Sequence, residues 1–154
     1  MTKLPVKKTI AALALLAAGA ATALAADDPI AARKALMQAN GGAAGLSAGM
    51  MKGEIAYSPA AGKAAITALH ATAMTFGDYF PEGSDMGVDT KASPKIWEDP
   101  DGFQAELDKF KSATDAAMQA SGRGGPGDIE AFKAAIGPVL GTCKSCHEGY
   151  QIQQ

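Results

Sequence analysis

Large apolar residues in this chain recur three and four positions apart, and no segment alternates apolar and polar residues with a period of two over a useful length. That rhythm belongs to helices that bury one face, so it restricts the chain to an all-α fold. Between about Pro59 and Phe80 the seam is Ile66, Leu69, Ala73, Phe76 and Phe80, stopped by Pro81. Asp99 caps a further segment with Pro100 at its first position, and Phe103, Leu107, Phe110, Thr114 and Ala117 continue the rhythm to about Ser121. After Asp128 come Ile129, Phe132, Ile136, Leu140 and Cys143, in a helix that Pro138, with Gly137 and Gly141, is expected to kink. The first segment, about Pro29 to Lys52, is rich in alanine, and each of its glycines 41, 42, 45 and 49 costs up to about 1 kcal/mol relative to alanine. A helix that tolerates them is expected to pack closely against a neighbour. "GRGGPG" at 122–127 is a turn, whereas the stretch from Pro81 to Glu98 carries Met86, Val88, Ile96 and Trp97 and is expected to fold back onto the helices. Trp97 and Phe103 are expected to pack it there. The expected architecture is an antiparallel, up-down-up-down four-helix bundle.

The first 25 residues stand apart. Lys3, Lys7 and Lys8 precede an apolar, alanine-rich run that ends in Ala23-Leu24-Ala25, the order of a bacterial secretory signal cleaved before Ala26. The expected mature domain is 26–154, exported to the periplasm and without a stable membrane anchor. Three of the fourteen basic residues precede the cleavage point and none of the sixteen acidic ones does. The mature chain is therefore acidic, and no basic patch recommends nucleic acid as a partner.

Its only cysteines lie together in "CKSCH", residues 143–147. At about 100° per residue, Cys143, Cys146 and His147 fall within one face of a helix, the face that also carries Leu140. Three chemistries compete for such a cluster. A redox dithiol wants its C-x-x-C at a helix N-terminus beside a βαβ unit, and no strand is legible. A structural zinc site wants four ligands, and the only other histidine, His70, reads as a surface or boundary residue. Here the pair lies at the end of the last helix, and C-x-x-C-H matches covalent haem attachment, with a local disulfide as the plain alternative in an oxidising compartment. On the first helix Arg33 and Met37 are four residues apart and share a face. Met37 could ligate an iron opposite His147, and Arg33 could meet a haem propionate through its planar fork of donors. The plain readings are a core methionine and a solvated arginine.

"CKSCHEGY", "PIAARKALM" and "FGDYFPEGS…SPKIWEDPDGF" together make the mature chain resemble the class II c-type cytochromes, the cytochrome c′ family, and in particular its low-spin cytochrome c-556 branch. The resemblance implies a four-helix bundle enclosing one haem c. Cys143 and Cys146 match the attachment cysteines, His147 the proximal iron ligand, Arg33 the arginine near the propionates, and Met37 the residue over the distal face. In cytochromes c′ that distal residue is unbonded and the iron is five-coordinate, open to NO or CO; in the low-spin branch a methionine binds it. Many cytochromes c′ carry a basic residue where this chain has Gln151. The expectation formed on these grounds is a non-enzymatic periplasmic electron carrier with His147/Met37 ligation, monomeric or homodimeric and served by periplasmic redox partners. Its alternative is a five-coordinate cytochrome c′ that binds NO or CO.

Overall fold

A computed structural model describes residues 28–87 and 90–152; the expected secretory segment lies outside the described residues. Four long helices form the bundle: α1 (Pro29–Lys52), α2 (Pro59–Thr75), α4 (Pro100–Ser121) and α5 (Ile129–Tyr150). A single-turn helix, α3 (Lys95–Glu98), sits in the connection between α2 and α4. Each long helix begins where a side-chain oxygen can take up an orphan N–H. Asp28 accepts from the amides of Ile30 and Ala31, Ser58 from Ala61, Asp99 from Gly102, and Asp128 from Ala131. Three of these starts also place proline in the first turn, where no N–H is missed. Gly53 closes α1 at φ 75°, a left-handed conformation that glycine adopts without steric cost.

The helices pack in sequence order, α1 on α2, α2 on α4 and α4 on α5, as an antiparallel bundle. One detail differs from the sequence expectation. The second helix stops at Thr75 and its last turn tightens into a 3-10 turn, Phe76–Tyr79. Gly77 lies there against Leu107 of α4, where even a Cβ would come within 3.1 Å of Cδ1. The fourth helix runs through Pro138 as one element to Tyr150. Beyond it the chain extends, and Gln151 pairs antiparallel with Ala92 of the long connection. Ser93 N donates to Tyr150 O at 3.0 Å and Ile152 N to Lys91 O at 2.9 Å.

Apolar burial divides into two clusters. Met50, Ile66, Leu69, Phe132, Ile136 and Val139 form the main core, with Phe132, Ile136 and Val139 wholly buried. A second cluster of Ile96, Phe103 and Tyr150, packed against Phe80, Trp97 and Cys146, fastens the long connection to α4 and α5. His70 takes its expected boundary position, with Nε2 2.8 Å from Asp115 Oδ1 across α2 and α4. Among the described residues no helix is long and apolar enough to cross a membrane.

Candidate functional site

Beside the second cluster the bundle opens into a cavity of about 330 Å³, within the range of small-molecule and cofactor sites of ~300–1,000 Å³. Its floor comes from α5. Cys146 and His147 are consecutive on the helix and both line it. Cys143, one turn earlier, does not; its Sγ donates to Val139 O at 3.8 Å. The motif thus presents one thiol and the imidazole to the cavity and holds the other thiol at its edge. Burial raises the pKa of both thiols, that of Cys146 to about 11, with the Glu106 carboxylate adding to the effect. Reactive dithiols work by the opposite shift. Position at the end of α5 and burial of the thiols both oppose the redox-dithiol reading. No group of three or more histidine, cysteine and acidic side chains fit to hold a metal ion occurs among the described residues, which removes the zinc reading.

The turn that bears the cysteines is braced from α4. Ser145 Oγ, between the two cysteines, donates to Glu106 Oε2 at 2.7 Å, and Lys109 donates to the other oxygen. These bonds, that from Lys109 first, hold the Glu106 pKa below the usual carboxylate range. Tyr150, one turn beyond His147, also lines the cavity and donates to Asp99 Oδ2 at 2.9 Å. Burial raises its pKa, and the acceptor carboxylate adds to the rise. Gly102 makes this bond feasible, because a Cβ there would overlap both Asp99 Oδ2 and the tyrosine hydroxyl.

The opposite wall comes from α1. Met37 lines the cavity half-buried, and its sulfur is 4.0 Å from Asn40 Nδ2, one turn on. Arg33, expected to be solvated on the plain reading, is 5 % exposed. Its guanidinium lies over Phe80, 4.8 Å from the ring centroid, and 5.9 Å from that of Trp97. Desolvation lowers its pKa, and Asp28 partly offsets that. Arg33, Lys34 and Lys91 all line the cavity, whereas no carboxylate does. In an acidic chain that is a marked local excess of positive charge. Among the described residues, then, the site has thiols and an imidazole on one helix, an apolar interior, and cations at its wall. These are the groups a haem requires: covalent anchors, an iron ligand, a dry surround and counter-charges for two propionates.

Motif reasoning found Cys146, His147 and, on the opposite helix, Arg33 and Met37. It missed Glu106 and the acceptors of Arg33, which carry no local signal, and it read Asp99 only as a helix cap and not as the acceptor of Tyr150.

Comparison with known proteins bears on which haem chemistry this is. A family model described as cytochrome c′ matches residues 28–151. The cytochrome c′ of Rhodopseudomonas palustris is 38% identical over 146 residues, 95% of either chain. A cytochrome c-556 of Agrobacterium fabrum is 33% identical over 147 residues, 96% of this chain and 97% of that one. The solved structure of the R. palustris cytochrome c′ superposes with a TM-score of 0.73 at 37% identity, covering 82% of this chain and 98% of the other. These matches correct the expectation of a His147/Met37-ligated electron carrier. The family model, the more similar of the two relatives and the superposed structure are all cytochromes c′, whose iron keeps histidine as its single protein ligand. Spacing put Met37 on the face that lines the cavity, but lining a cavity is not binding an iron. Here the thioether is a half-buried wall residue beside an amide.

Proposed function

Because this chain belongs to the cytochrome c′ family of class II c-type cytochromes, which implies a covalently bound haem c, we propose that it is a periplasmic five-coordinate cytochrome c′ that binds NO or CO. Cys143 and Cys146 are the thioether anchors in this reading, and His147 is the only protein ligand to the iron. When bound, the haem supplies an iron with one open coordination position, where a diatomic gas binds. The chain's own residues do the rest. The α5 helix presents Cys146 and His147 from adjacent positions, and the Cys143 thiol, now against Val139 O, would turn from that contact to serve as the second anchor. Arg33 would supply positive charge toward the propionates, and Met37 would fill cavity space without bonding the iron. Phe76, Phe80 and Phe103 line the cavity and keep it apolar. Residues 1–25 direct export and are removed, and a periplasmic electron donor keeps the iron ferrous for CO.

The observation that carries this reading is the meeting of Cys146 and His147 with a carboxylate-free, cation-bearing apolar cavity in a chain of this family. Its test is the spectrum of protein matured with haem-attachment machinery. Haem that resists acid–acetone extraction, and a ferrous spectrum that changes when CO is added, are expected. Extractable haem, or a ferrous form indifferent to CO and NO, would refute the proposal.

A further inference from the structure

All four terminal N–H groups of Arg33 already have acceptors in the protein. Nη1 donates to Tyr79 O at 2.7 Å and to Ser84 Oγ at 2.9 Å; Nη2 donates to Ser84 O at 2.8 Å and to Thr90 Oγ1 at 3.3 Å. Ser84, itself 6 % exposed, passes its own hydroxyl proton to Pro81 O at 2.8 Å. A guanidinium forks onto a carboxylate through two parallel N–H groups, and here only Nε–H is left outside the set. These acceptors belong to two stretches of the connection between α2 and α4. One leaves the 3-10 turn (Tyr79 to Ser84), and the other, Thr90 to Ser93, supplies Thr90, Lys91 and Ala92 to the cavity wall. The second stretch has fastenings on two sides: Arg33 through Thr90, and the end of α5 through Ser93 N to Tyr150 O and Ile152 N to Lys91 O. Burying a cation against neutral acceptors costs free energy unless its donors are satisfied, so these bonds hold both the arginine and the wall in place.

We infer that Arg33 is a positioning residue of the gas-binding site: through Thr90 and Ser84 it sets the wall formed by Thr90–Ser93, and with it the width of the route by which a small ligand reaches the cavity. With its four terminal N–H groups engaged, Arg33 would act on haem propionates by charge and not as a bidentate clamp. The ligand-entry part of this inference rests on the proposed function; the wall-setting part does not.

Two substitutions keep the positive charge and break the fastening. Thr90→Val removes the acceptor from the wall, and Arg33→Lys replaces a four-donor fork by a point charge that cannot span the four acceptors. Native-state hydrogen exchange in the holoprotein is read at the Ser93 and Ile152 amides, whose bonds fasten the wall to α5. Protection at both should fall by tenfold or more in each variant: Thr90→Val loses two bonds, from Arg33 Nη2 and from Ala92 N, each at 3.3 Å, whereas Arg33→Lys leaves the Ala92 bond in place and reads the arginine alone. CO association with the ferrous protein, followed by flash photolysis, should rise severalfold in both variants while the absorption spectrum before photolysis stays that of the parent. Unchanged protection at both amides in both variants overturns the wall-setting role. Weakened protection with unchanged CO association overturns the link to ligand entry and leaves a structural arginine. A protein without covalent haem sinks the proposed function instead, and the exchange measurement still decides what Arg33 holds.

Discussion

Glu106 offers a sharp test of how the cysteine-bearing turn is braced. Its carboxylate takes two charge-assisted bonds, one from Lys109 on its own helix and one from Ser145 between the two cysteines. Bonds to a charged group contribute ~1.5–3 kcal/mol each when buried. Ser145 and Lys109 are exposed while the Glu106 side chain is only 13% so, and exposed ion pairs are worth less than about 1 kcal/mol. Glu106→Ala should therefore cost about 1–2 kcal/mol at neutral pH, a fall in Tm of roughly 3–8 °C for a domain of this size. The pH dependence follows from the depressed Glu106 pKa. A carboxyl whose folded-state pKa lies below its unfolded value contributes its full stability above the unfolded value. It loses that contribution as pH falls through the folded one. The Tm gap between parent and variant should thus be constant above about pH 5 and shrink steadily below about pH 4. Thermal unfolding followed by far-ultraviolet circular dichroism across that range is the assay. Ser145→Ala should give part of the loss, and the double variant less than the sum of the two. A gap that persists unchanged at the acid end, or additive single losses, would refute the reasoning.

Phe132 is fully buried against Tyr57 and the face of Gly62, so Phe132→Ala should cost ~3–5 kcal/mol in urea unfolding while the folded fraction keeps the parent's Soret band. Cys146 should be a sluggish nucleophile: with its pKa raised from 9.0 to about 11, alkylation of the folded apoprotein at pH 8 should run about a hundredfold slower than in denaturant, as counted by mass spectrometry. Met37→Ala should leave the spin state of the ferric protein as it is in the parent, because no iron bond is lost; a change in spin state on this substitution would contradict the five-coordinate assignment.

The bundle was legible because its causes are local. Ile66, Leu69, Phe132 and Ile136 repeat at helical spacing and are buried, and the Asp-Pro pairs at 28–29 and 99–100 mark helix starts because cap and proline act within one turn. The floor of the cavity was legible for the same reason, since C-x-x-C-H sets Cys146 and His147 side by side on one helix. What stayed hidden depends on the chain returning to itself. Arg33 meets acceptors 46 to 57 residues away and Ser145 meets Glu106 across 39, and neither pairing leaves a trace in periodicity. The 3-10 turn at Phe76 sets Gly77 close to Leu107 on another helix, a contact that periodicity does not show. Met37 failed differently: a helical wheel assigns a face, whereas iron ligation turns on the rotamer and reach of a flexible thioether.

The central claim is one protein ligand on the iron, and electron paramagnetic resonance of the ferric holoprotein at neutral pH, paired with the ferrous absorption spectrum before and after CO, tests it most directly. The account predicts a ferric signal with high-spin character and a five-coordinate ferrous spectrum that shifts when CO is added. A purely low-spin ferric signal, with a six-coordinate ferrous spectrum unmoved by CO, would contradict it.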